Sequence, residues 1–273
     1  MRAAVVGHVE WIDFVRVEAV PRPGEIVHAS EAWSEAAGGG AVAAVQLAKL
    51  GCETAFFTAL GNDDLGRRSR DELEAKGLKL HVTWIPEPQR RGVTYVDDSG
   101  ERTITVIGEK HRPRGGDGSL PWEELHRCDC VYFTGGDVEA LRKARHARVV
   151  VATARELPTL TRSGVELDAL VASARDEDER YEPGDLDPAP RLFVATSGPL
   201  GGWAQPGGPF EAASPPGPIE DTYGAGDCFA AGLTFALGRG DEPRAALALA
   251  AECGATVVTG RGPYGRQLTL ASL

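Results

Sequence analysis

Basic charge is what this chain is short of. Its 29 lysines and arginines stand against 40 aspartates and glutamates, a net charge of −11. With an isoelectric point near 5.1, no basic stripe of the kind that tracks a nucleic-acid backbone or an anionic membrane is expected. Small phosphate ligands are not excluded, because local amides and a metal build their sites. Cysteine is also sparse: five residues, at 52, 128, 130, 228 and 253, with no C-x-x-C pair. An odd, scattered set fits reduced thiols in a cytoplasmic protein. The six histidines are dispersed and form no H-E-x-x-H, which removes that zinc chemistry. No apolar run approaches the roughly 20 residues of a membrane span, and Met1–Val6 is too short for a signal-peptide core. The serine-hydrolase elbow G-x-S-x-G and the P-loop G-x-x-x-x-G-K-[ST] are missing as well.

What is present reads as an ordinary globular chain of 273 residues, 42% hydrophobic and 25% charged, long enough for a sizeable core. Ala3–Val6 is the first strand candidate, and the Val- and Pro-rich stretch Phe14–Ala29 reads as extended structure. Gly38-Gly39-Gly40 opens a helical pattern over Ala41–Leu50 that Gly51 stops. Glu53–Leu60 reads as a strand, Arg67–Lys76 as a charged helix, and residues 91–107 as a hairpin turning at Asp97-Asp98-Ser99-Gly100. Strand candidates at Val131–Thr134, Val149–Ala152, Ala169–Ala172 and Leu192–Thr196 then alternate with short helical or polar segments. That alternation predicts a mainly parallel sheet covered by helices on both faces. The Pro/Gly-dense piece Pro199–Pro218 reads as a loop, and two helices, Phe229–Leu237 and Pro243–Val258, close the chain.

The most informative segment is Asp221-Thr222-Tyr223-Gly224-Ala225-Gly226-Asp227-Cys228-Phe229, just before the first of those helices. Glycines let backbone N–H groups approach an anion closely, and a helix start supplies free amides and positive potential. Asp227 at the same spot is placed to take a proton from an attacking hydroxyl. Anion cradle plus base is the minimum for phosphoryl transfer to an alcohol. The plainer alternative is a tight turn with aspartate at a helix start.

The string resembles the second signature of the ribokinase-like (PfkB) carbohydrate kinases, D-T-x-G-A-G-D-x-F, and matches it at every specified position. Gly38–Gly51 resembles the family's first signature, a diglycine opening a helix that ends in Leu-Gly. Gly61-x-Asp63-x-x-Gly66 and Asp98-x-Gly100-Glu101-Arg102 look like further landmarks, and Thr196-Ser197-Gly198-Pro199-Leu200-Gly201 resembles the strand end that holds nucleotide. The resemblance spans nearly the whole chain in the expected order. Three positions differ. Val42 stands where the family has an asparagine, and Ile12, beside Asp13, where it has a substrate-binding aspartate. Ser173-Ala174-Arg175-Asp176 replaces the Asn-x-x-Glu that organises Mg²⁺.

The resemblance implies one α/β ribokinase-like domain over 1–273: a central, mainly parallel sheet sandwiched by helices, with a small β lid from about 13–37 and 91–107. It implies an ATP- and Mg²⁺-dependent kinase acting on a hydroxyl of a sugar or sugar-like molecule. Asp227 is then the base, and Gly224, Ala225 and Gly226 form the anion hole with it. Thr196, Gly198, Gly201, Thr222 and Ser173 fall to the nucleotide, and Asp13, Gly38, Gly39 and Val42 to the acceptor. Asp176 falls to the metal, with Glu177 or Glu179 as alternatives, or the acidic run is a solvated face. Backbone carbonyls at Asp221-Thr222 suggest a monovalent cation, and family lids suggest a homodimer paired through them. A nucleoside or other alcohol as acceptor stays open, as does a catalytically weak ligand-binding member.

Overall fold

Residues 1–272 are described by a computed structural model of the chain. β1 (Arg2–Val6), β2 (Glu10–Arg16), β3 (Glu31–Ala37), α1 (Gly39–Lys49), β4 (Glu53–Gly61), α2 (Asp64–Ala75), β5 (Lys79–Ile85), β6 (Arg91–Val96) and β7 (Arg102–Ile107) make the first part. β8 (Cys130–Phe133), α3 (Val138–Ala144), β9 (Val149–Thr153), α4 (Leu157–Leu160), β10 (Ala169–Ser173), β11 (Phe193–Thr196), β12 (Gly202–Gln205), β13 (Gly208–Phe210), α5 (Ala225–Arg239) and α6 (Pro243–Val257) complete it.

A nine-stranded sheet runs in the order β13-β12-β11-β10-β9-β8-β1-β4-β5. It is parallel from β11 to β5, with β12 and β13 antiparallel at one edge. The composition of β1 explains its central place. Ala3 and Val5 enter the core beneath α1, α5 and α6, whereas Ala4 and Val6 enter a second core on the other face with Leu125, Leu141 and Leu160. A strand buried on both faces has to be apolar throughout, as residues Ala3–Val6 are. The C-terminal ends of the parallel strands then bring Gly7, Thr134, Arg155, Ser173 and Thr196 to one rim of the sheet, where open α/β sheets bind ligands.

The second sheet, order β3-β2-β6-β7, stands over that rim. It joins residues 10–37 to residues 91–107, with β2 parallel to β6 and the outer pairs antiparallel. Phe14 anchors it. Its ring stacks on Trp33 at 4.8 Å and meets the edge of Tyr223 at 5.1 Å, so a strand of this small sheet packs directly on the D-T-x-G-A-G-D segment.

Two stretches depart from the sequence expectation. β2 stops at Arg16 and β3 starts only at Glu31, because Pro21, Pro23 and Gly24 (φ +86°) break the ladder between them. The Pro/Gly-dense piece read as a loop carries β12 and β13, whose hairpin extends the sheet from β11 with Thr196 opposite Gly202. Among the described residues no helix is long and apolar enough to cross a membrane.

Helices α5 and α6 approach closely because Gly232 has no side chain. A Cβ there would lie 2.8 Å from Cys253 Sγ and 3.0 Å from Ala250 Cα. Gly232→Val is expected to destabilise the fold by about 1–3 kcal/mol through overpacking, read as a lower urea midpoint at unchanged slope.

Candidate active site

The loop before α5 is set by one glycine and one carboxylate. Gly224 adopts the left-handed conformation, φ +83°, which a side chain would strain. The chain thereby turns into α5, whose first i→i−4 bond runs from the Cys228 amide to Gly224 O at 2.9 Å. The Ala225 amide turns back to Thr222 O at 3.4 Å. The Gly226 and Asp227 amides belong to the first turn, which has no intrahelical acceptors. Gly226 is exposed, with open space where a Cβ would stand. Asp221, fully buried, braces the loop from behind: Oδ1 accepts the Tyr223 amide at 2.8 Å and Oδ2 the Gly262 amide at 3.1 Å. Burial pushes the Asp221 carboxyl up, and those two backbone donors oppose the shift.

Asp227 sits where two helix starts meet. A Cβ at Gly39, the first residue of α1, would lie 2.7 Å from Asp227 Oδ1 and 3.3 Å from Thr134 Oγ1. Only glycine lets the α1 start come so near the carboxylate, and both helix N-termini bring positive potential to it. Burial outweighs that and pushes the Asp227 carboxyl up to about 6; Arg102 and Arg155 pull it down, Glu179 and Glu10 push it up. Part of the side chain stays open to the cleft.

On the side expected to take the acceptor, Gly38 (φ +89°) donates its amide to the Tyr223 hydroxyl at 3.3 Å. A Cβ there would meet Glu10 N at 3.1 Å and His8 Cδ2 at 3.4 Å. Glu10 pairs with Arg90 at 2.9 Å. Asp13 stands elsewhere: it accepts from Ser34 Oγ at 2.5 Å and pairs with Arg91 at 2.9 Å. Successive strand residues point to opposite faces, so Glu10, Ile12 and Phe14 share the buried face and Asp13 lies on the other. Val42 is fully buried and packs beneath the loop, with Cγ1 3.0 Å from the Cβ position of Gly224. Gly39 is brought to Asp227, whereas Asp13 is turned away and Gly38 meets Tyr223, Glu10 and His8 instead.

The strand ends β10 and β11 hold the residues expected at the nucleotide. Ser173 and Thr196 are register partners. Thr196 Oγ1 donates to Ala172 O at 3.2 Å, and Gly198 and Gly201 have φ of +59° and +82°. The Ser173 amide donates to Glu179 Oε2 at 2.8 Å. Glu179 pairs with Arg155 at 2.9 Å, and Asp176 and Asp178 with the same guanidinium. Glu179 is 15% exposed against 36% for Asp176, and it is Glu179 whose charge reaches Asp227. Thr222 is clipped to the small sheet: its amide donates to Gly100 O at 3.0 Å, and its O and Oγ1 accept Arg102 Nη1 at 3.2 and 3.3 Å. That Thr222 carbonyl, one of the oxygens suggested for a monovalent cation, thus already holds Arg102.

Sequence reasoning did not single out His8, Glu10, Arg90, Lys110, Arg112, Thr134, Arg155 or Glu156. They come from separate strand ends and loops, with no spacing to join them. The one local signal was Arg102, inside the Gly100-Glu101-Arg102 landmark.

A parallel α/β sheet, a helix start aimed at a buried carboxylate on its rim and a β sheet standing over both are the architecture of a lidded small-molecule kinase. The chain belongs to the pfkB family of carbohydrate kinases, whose description, pfkB family carbohydrate kinase, matches residues 2–157 and 139–269. It is a phosphotransferase of the sugar-kinase class. It is 32% identical over 284 residues to an ATP-dependent ribose-1-phosphate kinase of Halopiger xanaduensis, covering 93% of this chain and 91% of that protein. Among solved structures, a microbiome-derived acarbose kinase superposes with a TM-score of 0.81 at 22% identity, covering 99% and 97% of the two chains. Ribokinase of Arabidopsis thaliana superposes with a TM-score of 0.74 at 19% identity, covering 99% and 96%. The ribokinase-like fold expected from the sequence is the one observed.

Two measurements test the geometry around Asp227. Asp227 acting as a base would have to be ionised, and kcat/KM would then fall on the acid side with an apparent pKa at about 6; a limb at about 4, the ordinary carboxylate range, would contradict the burial argument. In Gly39→Ala the new methyl meets the mobile end of Asp227 rather than backbone, so the fold survives while the carboxylate is displaced. Turnover should drop about 100-fold, as expected for a shift near 1 Å, at a nearly unchanged unfolding temperature.

Proposed function

We propose that this protein transfers the γ-phosphoryl group of ATP to a hydroxyl of a sugar or sugar-like small molecule. The observation that carries this is Asp227, a carboxylate partly open to the cleft and wedged between the starts of α1 and α5. With its pKa pushed up to about 6, it is ionised at neutral pH yet still basic, which suits a general base. It takes the hydroxyl proton as the acceptor oxygen attacks. The loop at Gly224, Ala225, Gly226 and Asp227 is the seat for the anionic oxygens of the phosphoryl group in flight, with Gly226 and Asp227 supplying the uncommitted amides. Thr196, Gly198, Gly201 and Ser173 form the wall for the nucleotide, and Thr222 joins that wall to the lid. Gly38 and Gly39 keep the acceptor side low enough for a sugar hydroxyl to reach Asp227, and Glu10 with Arg90 offers an acceptor–donor pair for neighbouring hydroxyls. ATP as donor is supported by two likenesses: the Halopiger relative is ATP-dependent, and the Arabidopsis ribokinase is a complex with ribose and ATP.

Mg²⁺ fits this donor set. Among the described residues no three His, Cys, Asp or Glu side chains gather into a metal cage, and an ion carried on nucleotide phosphates needs only one or two carboxylates. Glu179 and Asp176 are the residues that would hold it, with Arg155 keeping both in place. When bound, the ion offsets charge on the nucleotide phosphates. The five buried free thiols suit the cytoplasm. β7, all of whose residues are exposed, with Ile104, Val106 and Ile107 among them, is the lid edge we read as pairing two copies.

Asp227→Asn keeps the side-chain volume and removes the base. ADP release in the presence of acceptor is expected to fall by about 10²- to 10⁴-fold while circular dichroism and nucleotide binding persist. Turnover within a few-fold of wild type would remove Asp227 from the role.

A further inference from the structure

The wall read above as the nucleotide seat has no cation among its residues. Gly198 and Gly201 have no side chain, and Thr196 spends its hydroxyl proton on Ala172 O at 3.2 Å. Ser173 gives its amide to Glu179 Oε2 at 2.8 Å. Just downstream, residues 176–179 are all acidic. Asp176, Asp178 and Glu179 turn to one guanidinium, that of Arg155, so three carboxylates stand against a single positive charge. Asp227, on which Glu179 also acts, adds to the negative side. Arg102 is already held by Thr222 O and Oγ1. A nucleotide triphosphate brought to this wall meets repulsion unless a further cation receives it.

Arg175 is the cation that the same turn leaves unspent. It is exposed, and Arg155 has taken the carboxylates beside it. Its backbone is fixed, since its amide donates to Ser173 Oγ at 3.3 Å. Its side chain then crosses from the end of β10 to the end of β11. There the Cβ position of Gly198 lies 3.3 Å from Nη1, 3.4 Å from Cζ and 3.7 Å from Nη2. Three atoms of a planar group at nearly equal distance place that point over the face of the plane, not at its edge. The guanidinium therefore lies flat against Gly198, where no side chain intrudes. Among the described residues no hydrogen bond or ion pair uses its N–H edges.

Position along the sheet rim says which part of the nucleotide those edges meet. Ser173 and Thr196 are register partners at the ends of β10 and β11. Thr134 follows β8, with Oγ1 3.3 Å from the Cβ position of Gly39, itself 2.7 Å from Asp227 Oδ1. From β8 to β10 is two steps across the sheet, roughly 10 Å at the usual strand spacing. A triphosphate with its terminal group at Asp227, together with the length of an arginine side chain, covers that interval. A guanidinium fork suits phosphate oxygens, which accept two of its N–H groups at once.

We propose that Arg175 is a further nucleotide-binding residue, whose guanidinium, laid flat on Gly198, donates to the phosphate chain of the donor on the side remote from Asp227. This rests on the kinase reading above and adds to it a residue outside the wall named there. The contact is made to phosphates that stay with the nucleotide, so it is present before and after transfer. Its contribution is to affinity for ATP and ADP alike and not to the chemical step.

Calorimetric titration of the whole protein with ATP, ADP and adenosine, wild type against Arg175→Gln, tests this. Kd for ATP and ADP is expected to rise about 10- to 100-fold, the worth of one or two charge-assisted hydrogen bonds, with adenosine binding unchanged. In ADP-release assays with ribose and fructose, KM for ATP should rise by a similar factor while kcat and KM for the sugar hold. Arg175→Lys should recover part of the loss, since the charge returns without the fork. Unchanged ATP and ADP affinity in Arg175→Gln overturns the proposal and leaves the kinase reading standing. An equal loss for adenosine also overturns it, by moving the guanidinium to the base or ribose, and so does a raised KM for the sugar alone. Where neither sugar is turned over, the titrations decide. If the wild type binds neither ATP nor ADP, the kinase reading falls and the proposal with it. Should Arg175→Gln not fold, Arg175→Lys decides alone: a Kd for ATP raised a few-fold is expected, and an unchanged Kd overturns the proposal.

Discussion

The cleft is organised by the burial of a single carboxylate, Asp227, between the N-termini of α1 and α5. Removing a carboxylate from water is unfavourable, and the raised pKa of Asp227 records that burial wins over the surrounding positive potential. The helix starts soften the cost by aiming their unpaired amides at it. Their close approach requires that α1 begin without a Cβ at Gly39 and that α5 be entered through a left-handed Gly224. Asp221 carries the mechanical side of the same arrangement, since its two oxygens tie the loop to Gly262 and so to the segment after α6. The proposed base, the proposed anion seat and the brace thus share seven consecutive residues.

The small sheet is bound to that loop rather than merely lying over it. Phe14 meets Tyr223, Gly38 reaches the Tyr223 hydroxyl, and Gly100 and Arg102 hold Thr222. Arg261 adds a further tie, pairing with Glu31 at 2.6 Å and lying 3.9 Å over the Trp33 ring. In consequence the end of the cleft under the small sheet has two makers. The body supplies Thr134 and His8, the small sheet supplies Glu10, and the connections flanking β6 and β7 supply Arg90, Lys110 and Arg112. The ion pairs divide likewise: Arg155 is spent on Asp176, Asp178 and Glu179, while Arg90 pairs with Glu10 and Lys110 and Arg112 share Glu156.

Much of the fold was legible because its signals are local. β1, β4 and β8 to β11 are apolar runs closed by glycine or polar residues, and α1, α5 and α6 begin or end at glycine or proline. β12 and β13 escaped because their strand character comes from pairing with β11, not from their own glycine- and proline-rich composition. Among the candidate residues, Gly39 and Asp227 could be singled out from the sequence, and the structure brings them together because the close approach of α1 demands glycine. Asp13 and Glu10 could not be separated by type; strand parity puts Glu10 on the buried face of β2 and Asp13 on the other. Likewise Asp176 and Glu179 lie in one acidic run, and only the turn at 177–179 with the Arg155 pairing separates the less exposed Glu179 from Asp176.

By itself, then, the sequence determined the reaction class: a glycine-framed helix start with an adjoining aspartate is a contiguous motif whose backbone geometry follows from residue type. The polar cluster under the small sheet was decided by tertiary structure alone. His8, Glu10, Arg90, Lys110, Arg112, Thr134 and Glu156 span almost 150 positions of sequence and meet only where parallel strands end on one rim. Such a cluster is an arrangement of neighbours in space, and no stretch of chain carries it.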